Sequence, residues 1–210
     1  MPIKIYGMSS SGNCHKVRLL IDYLKIPHEW IETDTRKKET QTEEFRRKNP
    51  NGRVPLLELE DGTYLPESNA ILYYLAQGTS FWPADKLSQA RVLQWLFFEQ
   101  YDHEPRIAVN RAIQSIFNNI AERRAEYEAN LPKGYRALGI MEEHLKSNAS
   151  PGGTNCWFGA ARASIADIAL YAYTHVADEG GFSLADFPHI RAWLGRMESI
   201  EGHTRMRINS

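Results

Sequence analysis

The chain has 210 residues, 42% of them hydrophobic and 24% charged, enough for a buried core in one large or two small domains. Its 25 basic and 26 acidic residues are intermixed and leave a formal net charge of -1, which offers no electrostatic footprint for nucleic acid or an anionic membrane. The start, Met1-Pro2-Ile3-Lys4-Ile5, is no signal peptide, no stretch approaches about 18 apolar residues, and Cys14 and Cys156 make neither a CxxC nor a metal-ligand pattern; a cytoplasmic protein with free thiols and no metal is expected.

Ile3 to Tyr6 is a β-branched run ending at Gly7, and after a polar stretch Val17, Leu20, Ile21 and Leu24 recur at helical spacing. Pro27 stops that helix, and His28 to Glu32 reads as a second strand reached by a crossover, which makes a βαβ unit. Residues 33–48 are highly charged, with Phe45 one of few apolar anchors, and predict a loop with a surface helix that adds little to the core. The turn cluster Asn49-Pro50-Asn51-Gly52 precedes Val54 to Leu59, then Asp61-Gly62, then Thr63-Tyr64-Leu65, which predicts a hairpin around a two-residue turn. Ile71, Leu72 and Leu75 mark a helix opening at Ser68. The order is thioredoxin-like.

Gln77 to Lys86, with Gly78, Pro83 and Phe81-Trp82, breaks the periodicity as an interdomain linker would. Beyond it only helical stripes follow: Val92, Leu93, Leu96 and Phe97, then Ile107, Ile113 and Ile116, with Pro105 expected to kink or break the run, then Leu138, Met141 and Leu145, then Ile165, Ile168 and Ala172, and last Ile190, Trp193 and Met197. The fold class is therefore an α/β thioredoxin-like N-terminal domain over residues 1–78, a linker over 79–87 and an all-α C-terminal domain over 88–210.

Three stretches carry chemistry. Ser9-Ser10-Ser11-Gly12-Asn13-Cys14 lies between the first strand and helix, where unpaired N–H groups and the dipole end stabilise an anion such as a thiolate, and where turn and N-cap residues would also stand for stability alone. In Arg53-Val54-Pro55 a proline sits inside an apolar strand; either a cis bond leaves Val54 to pair with an extended ligand, or an edge strand opens on a trans proline, and the residues favour neither. Glu67-Ser68 at a helix start can hold the ammonium and carboxylate of an α-amino acid, or serve as a simple cap. The histidines are scattered and imply no metal.

In this order and spacing the three stretches, with Ser164-Ile165-Ala166-Asp167 as a buried capping box, resemble the glutathione transferase family over nearly the whole chain. The resemblance implies that glutathione is co-substrate: its γ-glutamyl end meets Glu67 and Ser68, its cysteinyl backbone pairs with Val54 before Pro55, its glycine carboxylate meets Arg53, and its thiolate meets the serine loop. Measured from Val17, the serine-type classes place the catalytic hydroxyl at Ser11. The Ser11-Gly12-Asn13 run also resembles the Thr-Pro-Asn loop of bacterial nu-like members, so Asn13 is the second candidate and Ser10 the third. Tyr6 stands near the place of the catalytic tyrosine of other classes, and Cys14 falls where it packs against the sheet. The family implies a homodimer, with Glu99 or Asp102 reaching across it, and a second-substrate wall near Met8, Tyr101, Arg106 and Asn110. The activity implied is attack of the activated thiol on an electrophilic small molecule, as in detoxification. Its alternatives are glutathione-dependent disulfide or peroxide reduction, a zeta-like isomerisation, or a noncatalytic interaction module that keeps the fold.

Overall fold

The computed structural model describes residues 2–149 and 156–206, which fall into two compact units: 2–79 together with 200–206, and 80–149 together with 156–199. In the first unit, β1 (Ile3–Gly7), α1 (Gly12–Leu24), β2 (His28–Glu32), α2 (Glu43–Lys48), β3 (Leu56–Glu58), β4 (Tyr64–Pro66) and α3 (Ser68–Ala76) follow in order. The sheet order is β2-β1-β3-β4; β1 runs parallel to β2 and antiparallel to β3, and β3 is antiparallel to β4. This is the thioredoxin-like arrangement.

Because successive strand residues face opposite sides, the sheet builds two cores. Ile5 and Leu57 face one side, where Val17 and Ile21 of α1 and Ile71 of α3 cover them. Tyr6 and Leu56 face the other, where Phe45 of α2 packs. Each fully buried aliphatic side chain here is worth about 1.5–3 kcal/mol, so the single anchor Phe45 is enough to seat the charged α2.

The hairpin differs from expectation. The Leu59 N–H donates to the Thr63 carbonyl at 2.8 Å and the Gly62 N–H to the Leu59 carbonyl at 2.9 Å, so the loop has three residues, not two. Gly62 closes it with φ 84°, a left-handed conformation that glycine adopts at no steric cost.

The second unit is all-helical among its described residues. The helices are α4 (Lys86–Phe98), α5 (Glu104–Arg111), α6 (Arg124–Ser147), α7 (Ile165–Thr174) and α8 (Pro188–Glu198). Of the kink or break expected at Pro105, no break occurs. A π turn over Glu99–His103 joins α4 to α5, its Glu104 N–H donating to the Glu99 carbonyl, and a second π turn over Ala112–Ile116 follows α5. The widened turn lies immediately before the residue that lacks a donor and whose ring crowds the preceding carbonyls. α6 starts well ahead of the stripe that announces it and carries Pro132 inside it.

Ser164 and Asp167 form the expected capping box at the start of α7. The Ser164 N–H reaches Asp167 Oδ2 at 2.8 Å and the Ala166 N–H reaches Ser164 Oγ at 3.2 Å. The Asp167 carboxylate also accepts the Phe158 N–H at 3.0 Å, which ties the preceding loop to the helix end. Among the described residues no helix is long and apolar enough to cross a membrane, and no group of three or more His, Cys, Asp or Glu side chains is placed to hold a metal ion.

Candidate functional site

Ser11 is the N-cap of α1: its Oγ accepts the Cys14 N–H at 3.4 Å and its carbonyl accepts the His15 N–H at 2.9 Å. Capping and chemistry do not compete here. A hydroxyl that takes an N–H into a lone pair still has its own proton to give. Ser11 also lines a cavity of about 350 Å³ with Met8, Thr35, Gln41, Arg53 and Val54, all from the first unit. That volume lies within the range of small-molecule clefts, roughly 300–1,000 Å³.

The wall opposite Ser11 is the turn before β3. The Val54–Pro55 bond is cis, which settles the choice the sequence leaves open. Val54 precedes the β-ladder, and among the described residues none takes its N–H or carbonyl as a hydrogen-bond partner. An extended ligand can pair there as an added strand. Arg53 is exposed. The segment is braced from behind by the buried Asn49, whose Nδ2 donates to the Arg53 carbonyl at 2.8 Å and whose Oδ1 accepts the Asn51 N–H at 3.1 Å. Gln41 adds a second brace by donating to the Gly52 carbonyl at 3.0 Å.

Glu67 and Ser68, at the start of α3, are not among the residues that line this cavity. Glu67 is exposed and holds φ 73° with ψ 114°, a conformation disfavoured for any side chain with a Cβ. Ser68 is buried; it donates to Asn13 Oδ1 at 3.4 Å and accepts from Lys16 Nζ at 3.5 Å. The structure thus joins two of the predicted residues, Asn13 and Ser68, through side chains, and gathers Ser11, Arg53 and Val54 around one cavity. Pro55 and Ser10 are buried, and neither lines the cavity.

Tyr6 agrees with its place as the less favoured candidate, and two expectations change. The Tyr6 hydroxyl is committed elsewhere, donating to Glu58 Oε2 at 2.6 Å and accepting from Lys48 Nζ at 3.2 Å; burial and the Glu58 bond push its pKa up, so it is not poised to serve a thiolate. Glu99 is fully buried, which leaves only Asp102, paired with Arg136 at 3.6 Å, as a partly accessible acid on that turn. Asn110 is buried too, its amide donating to the Tyr127 carbonyl and accepting from Asn130 Nδ2, both at 3.1 Å, so its polar atoms are engaged within the helical unit. Cys14 packs as expected: it is fully buried, its Sγ accepts the Met8 N–H at 3.4 Å, and burial pushes its thiol up to about 11.

Lys16 and Glu32 escaped sequence reasoning. Lys16 is a fully buried cation beside Ser68, and Glu32 accepts three donors at the foot of the serine loop. Both read as ordinary charged positions, since Ser68 beside Lys16 and Ser9 beside Glu32 are remote in sequence.

Residues 10–77 match the family model for the glutathione S-transferase N-terminal domain, and residues 101–201 match that for the C-terminal domain. A crystal structure of glutathione S-transferase from Pseudomonas fluorescens Pf-5 is 50% identical, with 98% of this chain and 99% of that one covered at a TM-score of 0.92. The disulfide-bond oxidoreductase YfcG of Escherichia coli K12 is 29% identical over 196 residues, 89% of this chain and 86% of its own. Ure2p in complex with glutathione, 24% identical and covered over 96% of this chain and 90% of its own at a TM-score of 0.83, shares the fold. Two family models in tandem and a near full-length match at half identity establish that the chain belongs to the glutathione S-transferase family.

Proposed function

We propose that the chain is a glutathione transferase that binds the tripeptide across the Ser11, Arg53 and Val54 cavity and activates its thiol for attack on an electrophilic small molecule. The observation that supports this reading is that Ser11, at the N-terminus of α1, lines one cavity together with Arg53 and the unpaired Val54 backbone. Glutathione fits that donor set. Val54 pairs with its cysteinyl backbone, Arg53 answers its glycine carboxylate, and Glu67 with Ser68 clamps the γ-glutamyl ammonium and carboxylate. Ser11 and the helix end then face the sulfur, with Asn13 behind as a second donor and Ser10 as a third.

The work required of Ser11 is modest. An unperturbed thiol titrates near 8.5, and lowering it by about two units takes roughly 2.7 kcal/mol, within reach of one or two charge-assisted hydrogen bonds plus a helix terminus. The thiolate attacks the electrophile directly, and no protein side chain is modified. Titration of the thiolate absorbance of bound glutathione tests this. Ser11→Ala is expected to raise the bound thiol's pKa and slow conjugation of chlorodinitrobenzene by on the order of 10²-fold, with affinity nearly kept. An unaltered thiol pKa in that variant overturns the assignment.

The likeness to YfcG favours a second reading, in which the same thiolate attacks a disulfide. Turnover of hydroxyethyl disulfide faster than of any aryl halide selects it over conjugation. A chain that binds glutathione without lowering its thiol pKa would instead be a noncatalytic module.

A further inference from the structure

We infer that Glu32 is a positioning residue for the thiolate donor: from the end of β2 its carboxylate grips Ser9 and thereby fixes the loop that presents Ser11 to the cavity. The inference rests on the role proposed above for Ser11 and adds what holds that hydroxyl in place.

Glu32 Oε1 accepts the Ser9 N–H at 2.8 Å, while Oε2 accepts the Ser9 hydroxyl at 2.6 Å and the Trp30 indole N–H at 2.9 Å. An ionised carboxylate is acceptor-only and takes all three donors at once; a glutamine has one oxygen and must give up at least one of them. Ser9 is therefore held by both its backbone and its side chain. Two residues on, the Ser11 N–H returns to the Met8 carbonyl at 2.9 Å, and the Thr33 N–H, one residue past Glu32, donates to the Gly7 carbonyl at 2.9 Å. The loop is thus tied at Gly7, at Ser9 and across from Met8 to Ser11, and the ties at Gly7 and Ser9 come from the end of β2.

The carboxylate is itself held. Trp30 lies against Gly7 so closely that a Cβ on that glycine would come within 2.6 Å of the indole, and the Arg18 guanidinium sits 4.8 Å from the Trp30 ring centroid. Burial pushes the Glu32 carboxyl up, but the Ser9 and Trp30 donors outweigh it and hold the group below its ordinary value. At neutral pH it remains an acceptor for all three donors.

The test compares Glu32→Ala, Glu32→Gln and Ser9→Ala with Ser11→Ala in the full chain, reading the pKa of bound glutathione's thiol together with kcat and KM for conjugation of chlorodinitrobenzene. A donor displaced by about an ångström forfeits up to 10²-fold in rate, so Glu32→Ala is expected to lower kcat roughly tenfold and raise the bound thiol's pKa by about one unit. KM for glutathione should stay within about twofold, because the tripeptide's ends are held elsewhere. Glu32→Gln and Ser9→Ala, each of which removes only part of the grip, should shift the thiol the same way by less, and they carry the test if the alanine variant fails to fold. Glu29→Gln, an exposed charge on the same strand, should change nothing. Thiol pKa values unaltered in the Glu32 and Ser9 variants while Ser11→Ala shifts overturn this inference alone. A downward shift overturns it too, since the carboxylate would then act as a repelling charge. An unshifted Ser11→Ala overturns the Ser11 reading itself, and this inference with it.

Discussion

Trp193 of α8 donates its indole N–H to Asp167 Oδ1 of α7 at 3.0 Å, with both side chains fully buried. The same carboxylate receives the Phe158 and Ser164 N–H groups, so one short side chain ties the α7 cap, the preceding loop and the last helix. Asp167→Ala leaves three buried donors without an acceptor and is expected to cost about 3–5 kcal/mol. Trp193→Phe removes one donor and some packing while the acceptor keeps its other partners, and should cost about 1–2 kcal/mol. Urea denaturation followed by circular dichroism reads both.

The same residue sets a pH dependence. Burial pushes the Asp167 carboxyl up to about 6, against the donors that face it. A group that holds its proton more tightly when folded supports the fold fully below its unfolded pKa, about 3.9 for aspartate, and loses that contribution as pH rises through the folded value. The stability of the native chain relative to Asp167→Asn should therefore decline between about pH 4 and pH 7 and level off on either side. A difference that is flat across this window contradicts the assignment.

Cys14 should be silent. Its thiol is fully buried and held protonated at neutral pH, so iodoacetamide at pH 7.5 should label it only after unfolding. Cys14→Ala is expected to keep near-native activity and to cost about 1 kcal/mol for the vacated volume. A Cys14→Ala protein that folds but has lost activity would point to a thiol-exchange mechanism.

Glu67 should trade stability against binding. Its backbone conformation costs of order 1–3 kcal/mol for a residue with a Cβ, and glycine gives back about 0.5–1 kcal/mol of chain entropy, so Glu67→Gly should stabilise the fold by roughly 1 kcal/mol. The same change deletes the carboxylate proposed to answer the γ-glutamyl ammonium, and calorimetry should show weaker glutathione binding. Glu67→Gln should weaken binding without the gain in stability. Equal affinity in both variants and the parent would remove Glu67 from the site.

The chain should sediment as a dimer at micromolar concentration. Phe97 of α4 is 70% exposed and Tyr101, four residues on, is 84% exposed, an aromatic pair that a lone subunit gains nothing by showing to water. Phe97→Glu combined with Tyr101→Glu should shift sedimentation to a single chain's mass. A parent protein that already sediments at that mass counts against the dimer.

The sequence is most legible where a periodic apolar pattern coincides with a local end signal. The first strand and helix, the hairpin strands and the α7 capping box all announce themselves that way, whereas the Val54–Pro55 corner leaves the cis and trans choices open in the sequence and Ser11 is singled out by the family resemblance. The hairpin loop is misjudged by one residue because Gly62 suits both loop lengths. Pro105 signals a disturbance without saying that a π turn absorbs it. Lys16 and Glu32 are illegible for another reason: their environments come from Ser68, Ser9 and Trp30, and no local property of a lysine or glutamate tells a buried or thrice-bonded one from a solvated one.

The π turn over Glu99–His103 carries a consequence for how this helix tolerates change in length. A turn closed over five residues holds one more than a regular helix needs, and by widening it takes up the rotation of about 100° that the surplus residue would otherwise impose on everything after it. Removing a single residue between Glu99 and His103 would let the backbone close into an ordinary helix while Ile107 and Asn110, buried in the native chain, stay close to the face they occupy. A deletion at the turn would therefore leave the whole of α5 in phase with the core, and relatives that differ in length here should differ by a single residue taken up or given back at the π turn.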